Sequence, residues 1–471
     1  MNVGRAPWLR ASALGTALLF AGTFFAFKYS WLWHPYFWDE AWSYGRAVHQ
    51  LARQGLTLHP SLLEPALFRG HPPVFYLLAS GCFGIFGASH VVAHGFALTV
   101  SLTLVALLWT FTRRHLGGWA ATFLLPVLFL SQPFYALSTR LYPELLLCLF
   151  ALLAFQAYFK NNLGVLALAV AAALLTKESG ICVPLALGVF HVGRLLSQSA
   201  RGTAIFWPVL AGTAVALGWY AWQYAVRGWW LFPEHTAALS FQTDAVLASI
   251  GKKVFSLFVK DGRFLLFLPA LLSGFWLIKR GEVKIPAELV PYTWLVGIFS
   301  AVYLVFSAFN FESGRYMVVA MVPSIAIGYG WLWLGLQRKP YILVLGLTLY
   351  AGSQIKELAY PPSDKETSTG YLALLQVWQE AAAFCEQQQL YKGAFSASYL
   401  AGYALSNPEM GYLTQARPFT LVTDPRSARY LLFDSTDPKQ MENVLPQIPS
   451  AVLLWETRRG QHWVKIFEQK E

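Results

Sequence analysis

The chain has 471 residues, 56% of them hydrophobic and only 13% charged, about half the charged share of an average soluble domain. Apolar runs near the ~20 residues that a bilayer core demands recur from residue 12 to about residue 357, which excludes an ordinary soluble fold, and the short alternating segments of a membrane β-barrel are absent. The net charge of +11 is spread over short loops between those runs, which fits the positive-inside bias and phosphate ligands rather than nucleic acid.

Arg5 and Arg10 precede the first apolar segment, residues 12–28, and no small-x-small cleavage site follows. That pattern predicts an uncleaved first helix that starts in the cytoplasm. Further spans are expected at 91–111, 118–134, 144–159, 163–176, 180–194, 203–223, 263–278, 286–308, 315–337 and 341–357. Residues 72–87 (PPVFYLLASGCFGIFG) are the ambiguous stretch. At ~1.5 Å per residue they reach about 24 Å, short of a ~30 Å core.

The topology turns on that stretch. If it crosses, Arg140, Glu144, Lys177 and Arg315 fall on the face opposite Asp39. If it is re-entrant or interfacial, the loops holding Arg113-Arg114, Lys160, Arg194 to Arg201, Lys279-Arg280-Lys284 and Arg338-Lys339 become cytoplasmic, with Glu282 their only acid. The positive-inside rule favours the second arrangement. It gives a polytopic α-helical membrane protein of about eleven spans, N-terminus inside and C-terminus outside. Residues 1–357 then form a membrane domain whose first external loop covers about 29–71.

A long external loop at 225–262 carries Trp229, Trp230, His235, Lys252, Lys253 and Lys260, which suits lipid headgroups and interfacial snorkelling equally. After Tyr360-Pro361-Pro362 the composition becomes that of a soluble domain, residues 358–471. An amphipathic stretch at 370–388 and strand-like segments at 394–399, 429–434, 451–456 and 462–467 predict a small external α/β domain. It contains no phosphate loop or triad pattern, so no chemistry is assigned to it. Cys82, Cys148, Cys182 and Cys385 have no metal-type spacing and predict no disulfide.

Chemistry-bearing residues gather at the expected external ends. Asp39-Glu40 follows the first span, and acids beside a membrane segment are costly enough to be kept for a reason. Adjacent residues point about 100° apart on a helix and to opposite faces of a strand, so one acid is expected as general base and the other as its orienting or electrostatic partner. Arg69-Gly70-His71-Pro72-Pro73 either starts a helix or offers His71 as a polar contact to substrate or to Asp39. Arg140 and Glu144, in Ser138-Thr139-Arg140-Leu141-Tyr142-Pro143-Glu144, either pair with one another or join the site. Lys177-Glu178 and Glu312-Ser313-Gly314-Arg315 are interfacial anchors, or a Lys and an Arg that converge on a phosphate. The candidate phosphate ligands are Lys177, Arg315 and Arg140, and the candidate substrate contacts are His71 and Glu144. Adjacent carboxylates can ligate a divalent cation, but Asp39-Glu40 alone does not establish a metal site, so no cofactor is assigned.

The ordered set Asp39-Glu40, His71-Pro72-Pro73, Ser138-x-Arg140, Thr176-Lys177-Glu178 and Arg315-Tyr316, on this hydropathy profile, resembles the GT-C glycosyltransferases, in particular the protein O-mannosyltransferase and aminoarabinose–lipid A transferase superfamily. The resemblance covers about residues 10–340. It implies a transferase that takes a sugar from a polyprenyl-phosphate donor and passes it to a lipid, protein or glycan acceptor at the extracytoplasmic face, by an inverting single displacement. It also implies Asp39 as the base. The sequence departs from the family pattern at Glu144, where relatives commonly carry Asp. The competing readings are a flippase for a lipid-linked saccharide, which predicts mid-span charges and repeat-related halves, and a saccharide polymerase or ligase.

Overall fold

The computed structural model describes residues 7–198, 203–281, 283–310, 314–336, 340–361 and 366–470. Arg5, Arg201, Glu282, Glu312, Ser313, Arg338, Lys339 and Pro362 lie outside the described residues. A helix occurs at each position read as a span: Pro7–Tyr29, His90–Leu116, Gly118–Leu130, Pro143–Phe159, Leu163–Leu174, Cys182–Leu196, Phe206–Arg227, Phe264–Arg280, Leu289–Ala308, Val318–Leu336 and Pro340–Ala359. Among the described residues, five stretches are long and apolar enough to cross a membrane: Ser12–Trp33, His90–Leu116, Glu178–Leu196, Leu289–Ala308 and Gly314–Gly335. Gly118–Leu130, Pro143–Phe159, Leu163–Leu174 and Phe264–Lys279 are apolar but shorter.

Local signals set the helix ends. Ser89 and Asn162 accept hydrogen bonds from Val92 N–H (3.3 Å) and Val165 N–H (3.2 Å), capping orphan donors. Pro143 opens its helix where no N–H partner is needed. Gly117, at φ +96°, lets one helix stop and the next begin at once.

The ambiguous stretch forms the helix Val74–Phe86, 13 residues long. Its start is tied to the end of Leu163–Leu174 by Val74 N–H donating to Leu175 O (2.9 Å). Its far end leads to His90, whose ring sits 2.8 Å from where a Cβ on Gly411 would lie, and to His94, 3.3 Å from Glu40. Both ends of Val74–Phe86 thus lie at the Glu40 end of the bundle. The helix packs instead on the short helix Gly45–Gln54, where Ser80 Oγ donates to Val48 O at 3.0 Å. Arg113, Arg114, Lys160 and Arg194 close their helices at the opposite end.

The C-terminal domain is a four-stranded sheet of β1 (Phe395–Ala397), β2 (Tyr430–Asp434), β3 (Ala451–Arg459) and β4 (His462–Gln469), in the order β1-β2-β4-β3. The β1–β2 pair is parallel and the others antiparallel. Alternate residues His462, Val464 and Ile466 are buried, the period expected of a strand with one face packed. The helix Tyr371–Gln387 covers β3 and β4. The domain docks on the first loop: Tyr36 N–H donates to Met410 O and Tyr412 Oη donates to Tyr36 O, both at 2.9 Å.

The return of Val74–Phe86 predicts that single cysteines replacing Gln54 and Ala88, both exposed, are labelled by a membrane-impermeant maleimide from the same side. Labelling from opposite sides would show that this helix crosses.

Candidate active site

The first loop turns sharply at Trp38, whose φ of +53° is rarely adopted by a bulky residue. A single π-helical turn, Glu40–Tyr44, follows, a wide winding frequent at functional sites. Gly45 is required behind it, because a Cβ there would lie 2.6 Å from Glu40 O and 2.7 Å from the Tyr36 ring. The turn sends the two acids in different directions.

Glu40 points inward and is fully buried. Its Oε2 accepts from Arg140 Nη1 (2.7 Å) and Phe37 N–H (3.2 Å), while Oε1 accepts from Leu141 N–H (2.5 Å) and faces His94 Nε2 at 3.3 Å. Burial alone would raise its proton affinity, but Arg140, His94 and the Leu141 amide outweigh it and hold the carboxyl at about 2. Arg140 is equally enclosed. Its Nε donates to Tyr371 Oη (2.9 Å) and its guanidinium lies 4.2 Å from the Tyr371 ring centre. Arg140 therefore pairs with Glu40, not with Glu144, and stands behind the site as its scaffold.

Asp39 points the other way and keeps about a fifth of its side chain exposed. Trp42 Nε1 donates to its Oδ1 at 2.8 Å, and Arg315 Nη2 lies 2.5 Å from its Oδ2. Asp39 and Glu40 share no ligand position, so the chelating pair considered from sequence does not form.

Arg315 gathers the remaining groups. Its Nε is 3.2 Å from Glu144 Oε1, and its Nη1 is 3.0–3.1 Å from both carboxylate oxygens of Glu366. Lys177 Nζ reaches the same Glu144 oxygen at 2.6 Å and sits 3.9 Å from the centre of the Tyr316 ring. The expected convergence of Lys177 and Arg315 is thus present, with Glu144 between them. The other oxygen of Glu144 is buried and has no hydrogen-bond partner among the described residues. Gly180 permits the tight turn after Lys177, since a Cβ there would meet Ala173 O at 2.2 Å.

Glu366 was not found from the sequence. It lies past the last apolar helix in a polar stretch without periodicity, and only its proximity to Arg315 and Tyr142 (Oη to Oε2, 2.8 Å) reveals it. Burial, with Asp39 and Glu144 nearby, holds its proton affinity above the ordinary carboxylate range despite Arg315.

His71 contacts neither Asp39 nor the Arg315 cluster directly. Its Nδ1 is 2.9 Å from Glu178, and its Nε2 is 3.4 Å from Tyr44 Oη. His235, from the long loop, completes a group with His71 and Glu178 whose ligand atoms all lie within 4.8 Å of one another. Two imidazoles and a carboxylate are a donor set that suits a transition metal such as zinc. Burial and the neighbouring His71 depress His235 to about 4, leaving it a neutral acceptor for Arg69 Nε at 3.3 Å. Arg69 also pairs with Glu234 at 3.1 Å, which fastens the long loop over the site.

Lys177, His71, Glu178 and His235 line one end of a cavity of about 260 Å³. Leu231, Leu239, Phe241, Phe306 and Phe309 line the rest, and Phe241 is 73% exposed, so the apolar wall opens at the protein surface. The site therefore joins a carboxylate–cation cluster to an apolar groove.

A family model described as dolichyl-phosphate-mannose-protein mannosyltransferase matches residues 70–222, about a third of the chain. No curated protein sequence matches the chain. Among solved structures, ArnT from Cupriavidus metallidurans bound to undecaprenyl phosphate is similar with a TM-score of 0.60 and 14% identity, over 98% of this chain and 98% of that one. The apo state of the same protein gives 0.59 and 14%, over 97% of this chain and 98% of that one. The chain has the GT-C fold of these membrane glycosyltransferases from end to end.

The depressed Glu40 carboxyl makes part of the fold's stability depend on pH. Its contribution is fully present above the ordinary 4.5 and is lost as pH falls through about 2. Glu40→Gln is expected to lower Tm near neutral pH, consistent with about 3–5 kcal/mol for breaking a buried ion pair. The Tm gap to wild type should close as pH falls toward about 2. A gap that is constant across this range would show that Glu40 is not held as a paired carboxylate.

Proposed function

We propose that this protein is a membrane glycosyltransferase that takes a monosaccharide from a polyprenyl-phosphate donor and transfers it to a hydroxyl of a lipid, protein or glycan acceptor. The observation that carries this reading is the meeting of Lys177 and Arg315 at Glu144 (2.6 and 3.2 Å), with Lys177 also lining the apolar groove. A lipid-linked phosphate needs that combination: cations for the head and an apolar wall for the tail. The full-length likeness to a structure holding undecaprenyl phosphate supports the same reading, as does the mannosyltransferase family match over residues 70–222.

Each step falls to a named group. Asp39 takes the proton of the acceptor hydroxyl as its oxygen attacks the anomeric carbon. The bond from that carbon to the phosphate oxygen breaks in the same displacement, and the configuration inverts. Negative charge then collects on the departing phosphate, where preorganised Lys177 and Arg315 stabilise it without waiting for water to reorient. Glu40 and Arg140 act behind the reaction, fixing the turn that aims Asp39. His71 and Glu144 border the sugar.

The orientation belongs to the same proposal. The site and C-terminal domain face the extracytoplasmic side, the N-terminus is cytoplasmic, and about eleven helices span the bilayer. The supporting observation is that Arg113, Arg114, Lys160 and Arg194 cluster at the end remote from Asp39.

Purified protein should transfer sugar from a polyprenyl-phosphate donor. Asp39→Asn and Asp39→Ala should each reduce kcat by about 10²–10⁴-fold with thermal stability retained. Lys177→Ala and Arg315→Ala should raise the donor KM as well as lower kcat. Wild-type turnover in both Asp39 variants would remove Asp39 as the base.

A further inference from the structure

Every nitrogen of the Arg315 guanidinium faces a carboxylate before any ligand arrives. Nε faces Glu144 (3.2 Å), Nη2 faces Asp39 (2.5 Å) and Nη1 faces both oxygens of Glu366 (3.0 and 3.1 Å). A planar guanidinium binds a phosphate through the same in-plane N–H groups that it offers to carboxylates. If Arg315 receives the donor phosphate, as the proposed function holds, a phosphate that takes two in-plane N–H groups competes with at least one of the three acids.

The structure distinguishes among them. Glu144 is rooted in the first turn of the helix Pro143–Phe159 and is held a second time by Lys177 at 2.6 Å. Its departure would strand a buried lysine. Asp39 is anchored by Trp42 Nε1 at 2.8 Å and must stay beside the reacting carbon to act as base. Glu366 lies outside the membrane helices, on the approach to the helix Tyr371–Gln387. Tyr142 Oη at 2.8 Å gives its carboxyl a partner other than Arg315. Burial and the neighbouring acids also raise its proton affinity.

We propose that Glu366 is a built-in competitor of the lipid phosphate: it occupies Nη1 of Arg315 in the empty enzyme, yields when a polyprenyl phosphate binds, and returns to help expel it after transfer. The donor is a phosphodiester with one negative charge, whereas the released polyprenyl phosphate is a monoester approaching two at neutral pH. Arg315 and Lys177 thus hold product more tightly than donor. A tethered carboxylate offsets that imbalance at the step where it would otherwise stall turnover.

The test is titration of the full-length protein in nanodiscs with a polyprenyl monophosphate, using wild type, Glu366→Gln, Glu366→Ala and Arg315→Ala, with product inhibition measured alongside. Both Glu366 variants should bind the monophosphate about tenfold tighter, the scale of one charge-assisted contact. The product inhibition constant should fall by a similar factor, and kcat should fall with it. A merely structural role would weaken binding or leave it unchanged, so affinity at or below wild type in both variants overturns the proposal. Arg315→Ala separates the two levels. If it binds like wild type, the phosphate role of Arg315 fails and the Glu366 proposal fails with it. If it loses binding while the Glu366 variants do not tighten it, only the Glu366 proposal fails.

Discussion

A carboxylate sealed away from water is tolerable only when other groups replace its hydration, and Glu40 imposes that demand on the whole molecule. Its compensating donors come from separate places: Arg140 and the Leu141 amide from the loop before one helix, His94 from another helix, and Phe37 N–H from its own turn. Arg140 in turn recruits Tyr371 from the C-terminal domain. Removing one partner of such a set leaves a bare buried charge, which is why buried ion pairs give more specificity than net stability. Here the specificity consists in holding the first loop, two membrane helices and the C-terminal domain in one arrangement.

With Glu40 fixed, Asp39 is aimed by default. The positive φ of Trp38 and the π-turn after it separate adjacent acids into an enclosed anchor and an open carboxylate. The second cluster, around Arg315, has the opposite character. Three acids and Lys177 share it without full satisfaction, and one Glu144 oxygen has no partner among the described residues. In the anchor both Glu40 oxygens are occupied by donors; in the second cluster three acids crowd one guanidinium.

Much of the fold was legible in the sequence because hydropathy and strand alternation are local properties. The helix at every expected span and the strands near 395, 430, 451 and 462 follow from patterns a few residues wide. The bias of loop charges led to the expectation that residues 72–87 do not cross, and the contacts at Val74, His90 and His94 place both ends of that helix near Glu40. The convergence of Lys177 and Arg315 was anticipated from residue type, and Glu144 was expected on the same face, but not that one of its oxygens would sit between the two cations. What sequence could not show were pairings across long separations. Arg140 looked like a phosphate ligand until Glu40, 100 residues away, claimed it. Glu366 belongs to no local pattern at all. His71 was placed near the site, yet its pairing with Glu178, 107 residues on, depends on the packing of two separate turns.

These separations also govern how the protein is made. Chains fold as they emerge, N-terminal parts first, so Asp39 and Glu40 exist long before most of their partners. Arg315 is made after nearly all the membrane helices, and Glu366 and Tyr371 only after the last of them. Glu40 gains its cation once Arg140 is made, Asp39 waits for Arg315, and Arg140 waits for its tyrosine, Tyr371. The site is therefore among the last features to be completed, and a chain truncated before residue 366 would lack both the Glu366 carboxylate on Arg315 and the tyrosine on Arg140. Completion of the cluster thus waits on the segment that follows the last of these helices.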